Sequence, residues 1–358
     1  MLKRILVITG GVTAAIAGTV LILKTQQPAS VPQKAIIGPT FGVLWQEAAG
    51  NPVIKPGDCF SWTCGGVSDP AIWQDPSGQL SVWFAAIGIQ KINGSYSSNG
   101  PYIAKAAGPS SQLSKLTIAP DNPIIPIGQN GQWDKFVETP EVKLTGQVLT
   151  MWYLGYKEKG FVEPAIGQMT STDLSGTAWS RPGKIIYQPA KDSWDHQLVS
   201  GPAVVKGPDG EWRLYYTGIG SQNGIGLLIS KDGINWTPYE HNPVFAAQSG
   251  AWDDEILEQS VVYTKGQYYM WYSGWKGELK PDTVISIGLA TSTDGINWTR
   301  NPNNPVLVPG SKGSWDDLRV LAPDVLVEPD GSLLMAAYGQ SHNDIGKQAG
   351  YIGFWISK

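Results

Sequence analysis

The chain is poor in cysteine, histidine and charge. Only 2 of its 358 residues are Cys and 3 are His. The two cysteines lie close together with no histidine beside them, which argues against a zinc site. Charged residues make up 16% of the chain, well below the roughly 25% typical of soluble domains. The net charge of −4 lacks the basic footprint of a nucleic-acid binder. No Gly-rich phosphate loop, Ser-His-Asp spacing or Cys-His pair stands out. What is abundant is 43 Gly, 26 Pro, 16 Trp and 14 Tyr, within a 42% hydrophobic composition. Gly and Pro damage helix interiors, so coiled coils and helical bundles are excluded. Ample apolar residues exclude a disordered chain. A turn-rich, Trp-rich β protein remains, with a length that allows two domains.

Lys3 and Arg4 precede Ile5 to Leu23, a stretch without a charge. Such a stretch approaches the ~20 apolar residues that span a bilayer. It reads as a signal anchor helix or a cleaved signal peptide over residues 1–24, followed by a linker over 25–40. Either reading places the folded part outside the cytoplasm, secreted or anchored to the membrane by residues 5–23. In that oxidising compartment Cys59 and Cys64 are expected to form a local disulfide.

A repeat of about sixty residues runs through the remainder. Trp-Asp recurs at Trp133, Trp194, Trp252 and Trp315. Asn-Pro recurs at Asn51, Asn122, Asn242 and Asn304, each about ten residues before a Trp, which makes Trp62 the first of the series. Each unit holds an apolar strand, a tight turn such as Gly207-Pro208-Asp209-Gly210, an aromatic strand such as Met270-Trp271-Tyr272, and a strand opening on Ile-Gly. Four short strands per unit is the pattern of a propeller blade. Five units fit. The last lacks a fourth strand, and the missing Trp and Asn-Pro stand at Trp45 and Asn51. Residues of about 43 to 54 are therefore expected to complete the last blade and close the ring, leaving no open sheet edge between the chain ends. One all-β five-bladed propeller over 41–358 replaces the two-domain estimate, and a monomer is expected.

The units begin with Ser68-Asp69-Pro70, Glu138-Thr139-Pro140, Ser200-Gly201-Pro202, Glu258-Gln259-Ser260 and Ala322-Pro323-Asp324. A five-bladed propeller whose blades open on Asp-Pro or Glu-x-Pro resembles the β-fructosidase/arabinanase superfamily, including glycoside hydrolase families 43 and 32. The recurrent Ser-x-Asp-Gly-Ile-Asn-Trp at 230–236 and 292–298 strengthens the likeness. The resemblance implies a carbohydrate substrate with a furanoside or pentose linkage, cleaved by paired carboxyl groups. It admits a tunnel Ca²⁺, for which no ligand set stands out, and no other cofactor. It implies Asp69 as base or nucleophile. Glu138 lies one place before the family's second Asp, and Ser200 stands where the blade-three acid belongs.

The inner strand of each blade lines the tunnel, so its first residues face the mouth. Glu258 on blade four can face Asp69 across it, because blades three and four both lie two steps from blade one. We therefore expect Glu258 as proton donor, Asp69 as base or nucleophile, and Glu138 as orienter or pKa modulator. Trp275, in a rim loop, is the candidate for sugar stacking. His196, Arg319, Gln259 and Ser200 are further substrate-binding candidates. Glu141, Asp324 and the repeated Asp of Trp-Asp are expected to be structural. Two other readings stay open: a sugar-binding propeller without hydrolysis, and a surface-anchored scaffold.

Overall fold

The computed structural model describes residues 40–57, 65–92, 95–345 and 350–357. The anchor segment, most of the linker, Trp62, Cys59 and Cys64 lie outside the described residues. Within them the chain is all-β, with helix confined to two short 3₁₀ turns at Ser110–Lys115 and His342–Asp344.

Five antiparallel sheets follow in chain order, and we number them as blades. Their innermost strands are Gly66–Gln74, Phe136–Thr145, Leu198–Lys206, Glu255–Thr264 and Arg319–Val327. Each inner strand packs against those of the blades before and after it, and blade five packs against blade one. The result is a five-bladed propeller. In blade five the outer strand comes from the other end of the chain. Gln46–Glu47 pairs with Tyr351–Ser357, with Gln46 opposite Ile356 and Glu47 opposite Trp355.

The repeated residues do repeated jobs. Each Asn of Asn-Pro lends its side-chain amide to the third strand of its blade, accepting from one backbone N–H and donating to the C=O of the same residue. Asn242 does so with Leu227 at 2.8 and 3.0 Å. Asn304 does so with Leu289, Asn122 with Lys105 and Asn51 with Phe354. The amide mimics a strand residue and satisfies edge groups that burial would otherwise leave unpaired. Blade two lacks the motif and instead runs a longer fourth strand, Lys184–Tyr187.

In blades two, four and five the Trp of Trp-Asp lies on the glycine of Ile-Gly, at Gly167, Gly288 and Gly353, whereas Trp194 of blade three lies on Gly218 of the aromatic strand. At Gly288 a Cβ would stand 2.7 Å from the Trp252 ring. The following Asp is buried, and in three of the four it accepts from the aromatic strand, Tyr153 to Asp134, Tyr216 to Asp195 and Tyr272 to Asp253, at 2.8 to 2.9 Å, while Asp316 accepts from Ser314 Oγ at 2.7 Å. The Asp residues are thus structural, as their recurrence suggested.

Blades are joined by aromatic donors. The Trp83 indole donates to Gly176 O, the Tyr215 hydroxyl to Gly295 O, and the Trp271 indole to Gly42 O. Each donor reaches from one blade into the next. Trp83, Trp152 and Trp271 are fully buried between sheets, and each contributes about 2–3 kcal/mol of apolar burial.

Candidate active site

Every inner strand carries a β-bulge at the same place. The register breaks between Ser68 and Ala71, Glu138 and Glu141, Ser200 and Ala203, Leu257 and Gln259, and Leu321 and Asp324. At the centre of each bulge one residue takes a positive φ: Asp69 at 51°, Thr139 at 47°, Gly201 at 55°, Glu258 at 40° and Ala322 at 52°. This left-handed backbone costs an L-residue about 1–2 kcal/mol, and it recurs where the five strands line the axial cavity. A bulge re-aims a side chain. Here it turns one residue per blade toward the axis.

These five positions correct the frame in which the motifs align. Glu258 is the counterpart of Asp69, not of Ser200. The blade-two counterpart is Thr139, and the blade-three counterpart is Gly201. Asp69 and Glu258 are therefore the only two carboxylates at bulge centres. Glu138 stands one residue earlier, beside its bulge.

All three candidate acids are buried, at 6%, 2% and 4% exposure for Asp69, Glu138 and Glu258. The Asp69 and Glu258 carboxyls lie within hydrogen-bonding reach of each other. No N–H or hydroxyl reaches either Glu258 oxygen, so that contact requires a proton between the two carboxyls. Ser68 Oγ donates to Asp69 Oδ2 at 2.9 Å. The Tyr156 hydroxyl donates to Glu138 Oε1. Burial pushes Asp69 up from 3.8 to about 6, partly offset by the Ser68 hydrogen bond. Burial, then the charges of Asp69 and Glu138, push Glu258 well above its ordinary value. Glu258 therefore holds its proton more tightly than Asp69, and Asp69 is the first of the pair to ionise. A difference of this kind between two neighbouring carboxyls assigns a base and an acid.

Around these groups lies a buried apolar cluster that includes Phe136, Tyr156, Leu198, Leu257, Trp275 and Tyr338. Tyr156 and Tyr338 were not among the candidates, although both end or nearly end an aromatic strand at the tunnel mouth. Burial raises both phenols, and Asp69 raises them further. They stay neutral donors.

The remaining candidates separate. Trp275 is not in the rim loop. It is the last residue of the strand Gln267–Trp275, 4% exposed, with its indole N–H unpartnered. The aromatic strand runs three residues further than its sequence pattern showed, and this buries the ring that was expected to stack on a sugar. His196 is exposed at the rim, its Nδ1 3.0 Å from Ser193 O. Gln259 is fully engaged with protein, donating to Gly201 O and Tyr215 O and accepting from Thr217. It braces blades three and four and has no donor left for a sugar. Ser200 is fully buried with no partner for its Oγ. Arg319 is 1% exposed; one Nη donates to Pro281 O, while Nε and the other Nη have no acceptor.

Below the bulges the next side chains form a separate network. Glu141 accepts from Val204 N at 3.0 Å and pairs with Lys143 at 2.9 Å. Asp324 accepts from Ile72 N at 2.6 Å and from Ser260 Oγ at 2.9 Å. These groups clamp neighbouring blades and are structural. Among the described residues no group of three or more His, Cys, Asp or Glu is arranged to hold a metal ion.

No family model matches the chain. A curated relative, the A type blood N-acetyl-α-D-galactosamine deacetylase of Flavonifractor plautii, is 30% identical over 120 residues. That stretch is 32% of this chain and spans only 15% of the deacetylase. Among solved structures, a member of the GH130 family of mannoside phosphorylases superposes with a TM-score of 0.65 at 19% identity, covering 90% of this chain and 96% of its own. That family contains glycoside hydrolases that target β-1,2 mannosidic linkages in Candida mannan. An N-acetylgalactosamine deacetylase from F. plautii, solved with blood group B trisaccharide, superposes at 0.62 with 15% identity, covering 87% and 95%. The structural neighbours are thus five-bladed propellers, largely glycoside hydrolases that act on glycans. At these identities they establish the fold.

Proposed function

We propose that the protein is a glycan-active enzyme of the glycoside hydrolase type. In this reading Glu258 donates the proton to the leaving oxygen, Asp69 acts as base or nucleophile, and Glu138 orients the pair and raises the affinity of Glu258 for its proton. One observation carries the proposal. The buried carboxyls of Asp69 and Glu258, from blades one and four, meet at one axial cavity, the charge of Glu138 on blade two acts on Glu258, and Glu258 has no donor but the proton it shares with Asp69. Buried carboxyls without partners are costly and persist where a ligand uses them.

The finer assignments rest on other supports. Membership of the family 43/32 type, and with it a furanoside or pentose linkage, is supported by the Asp69-Pro70 opening and the recurrent Ser-x-Asp-Gly. Closure of the ring by Gln46–Glu47 is supported by the Asn51–Phe354 amide pair and the Trp271 bond to Gly42. An extracytoplasmic site of action is supported by the uncharged run at residues 5–23.

A second reading is sugar binding without hydrolysis. The contact between Asp69 and Glu258 favours it, because retaining pairs stand about 5–5.5 Å apart and inverting pairs about 6.5–9.5 Å. Hydrolysis therefore needs the two side chains to part around the substrate.

The test is a screen of wild type, Asp69→Asn and Glu258→Gln against chromogenic arabinofuranosides, xylosides, fructofuranosides and mannosides, the last with and without phosphate. Turnover that falls about 10²-fold or more in both variants is the expected result. Glycan binding without turnover in any of the three proteins would establish the second reading instead.

A further inference from the structure

The bulges are alike except at blades three and four. The residue after the bulge centre is proline in four blades, Pro70, Pro140, Pro202 and Pro323, but Gln259 in blade four. The bulge centre is a glycine only in blade three, at Gly201. The two exceptions touch. Gln259 Nε2 donates to Gly201 O at 2.5 Å and to Tyr215 O at 3.0 Å. Its Oε1 accepts from the Thr217 hydroxyl at 3.1 Å, and the same hydroxyl oxygen accepts from Glu258 N at 2.8 Å. This chain of bonds ties the carbonyl of Gly201 to the backbone of Glu258. A proline at 259 could make none of the three bonds of the Gln259 side chain.

Gly201 also leaves room. A Cβ there would lie 2.9 Å from Glu258 Cγ and 3.1 Å from its Cα. No real Cβ stands so close to a backbone atom's side-chain neighbour without displacing it. The Glu258 side chain thus crosses blade three through the space that a side chain at 201 would fill.

We propose that Gly201 and Gln259 are paired positioning residues that seat the Glu258 side chain across blade three so that its carboxyl meets Asp69. Glycine supplies the path, and glutamine fixes the backbone from which Glu258 projects. The inference rests on Glu258 as the proton donor of the site, but its geometry can be read without activity. The titratable groups facing Glu258 are Asp69 from blade one and Glu138 from blade two. Tyr156 and Tyr338 stand behind them.

The experiment is an infrared pH titration of protonated carboxyl bands in the purified protein. Wild type should show a band at pH 7 that Glu258→Gln abolishes. In Gly201→Ala and Gln259→Leu the band should shift, and its titration midpoint should fall by about one pH unit or more as Glu258 leaves Asp69. Circular dichroism selects variants that remain folded; if Gly201→Ala does not fold, Gln259→Leu decides alone. A folded variant with the wild-type band and midpoint overturns the proposal, as does a wild type without a Glu258-dependent band. On any substrate the wild type turns over, Gln259→Leu should lower kcat about 10²-fold with little change in KM. Absence of turnover in the wild type would count against the enzyme reading while leaving the infrared result to judge the positioning.

Discussion

The Glu258 carboxyl on blade four meets the Asp69 carboxyl on blade one across the axis of the ring. Two buried carboxyls in contact hold one proton between them. Both bind protons more tightly in the native state than in the unfolded chain. The stability this confers is complete below the unfolded value and is lost as pH rises through the folded value. For Asp69 that window runs from 3.8 to about 6. Asp69→Asn and Glu258→Gln should each flatten the decline across it and stabilise the protein at pH 7 by about 1–3 kcal/mol. Urea melts at a series of pH values measure this. Parallel curves for wild type and variants would show that folding does not raise the proton affinity of either carboxyl.

Asp324 illustrates a carboxylate with the opposite role. It satisfies the Ile72 N–H of the next blade and the Ser260 hydroxyl of the previous one, while Ser260 Oγ accepts from Val325 N. The inner edges of the strands face the axis and have no neighbouring strand. Asp324→Ala strands two buried donors, at a cost of about 2–4 kcal/mol. Thermal or chemical melts should show the loss. A change under about 0.5 kcal/mol, as at an ordinary surface site, would mean that water replaces the carboxylate.

Most of the fold was legible because each repeated residue does one job five times or nearly so. Asn-Pro completes a strand edge, Trp-Asp covers a glycine and accepts from a tyrosine, and neither depends on chemistry outside the blade. The site was less legible. Asp69 could be picked out by its proline, but Glu258 lacks one, and nothing local announces that it occupies a bulge centre. The one-residue offset between Glu138 and Thr139 arises from the positive φ of the bulge, which a motif of three letters does not encode. Trp275 was misplaced because a strand's end depends on pairing with Glu255, a contact twenty residues away in sequence.

Arg319 should be more useful to the protein than it is stabilising. Its guanidinium is buried, makes no ion pair among the described residues, and is held only at Pro281 O; burial draws its affinity for the proton down. An uncompensated buried cation costs several kcal/mol, and an apolar replacement of similar size commonly regains part of it. Arg319→Met should therefore raise stability by about 1–3 kcal/mol and weaken glycan binding about tenfold or more. Paired melting and binding measurements test both halves. A variant that is less stable than wild type would show that the guanidinium is a structural strut.

Asn51 tests how the ring is held shut. Its amide accepts from Phe354 N at 2.9 Å and donates to Phe354 O at 2.8 Å. Asn242 makes the same two bonds to Leu227, but within a single blade and only fifteen residues away in sequence. If the N-terminal segment latches blade five, removing the Asn51 amide weakens a contact between the two ends of the chain, and the outer strand can peel away. Asn51→Ala should then cost about 1–3 kcal/mol. It should also speed amide exchange in the last strand, Tyr351–Ser357, far more than Asn242→Ala speeds it in Asn223–Ser230. Equal exchange rates in the two strands would show that the segment is an accessory edge and that the inner strands alone hold the ring.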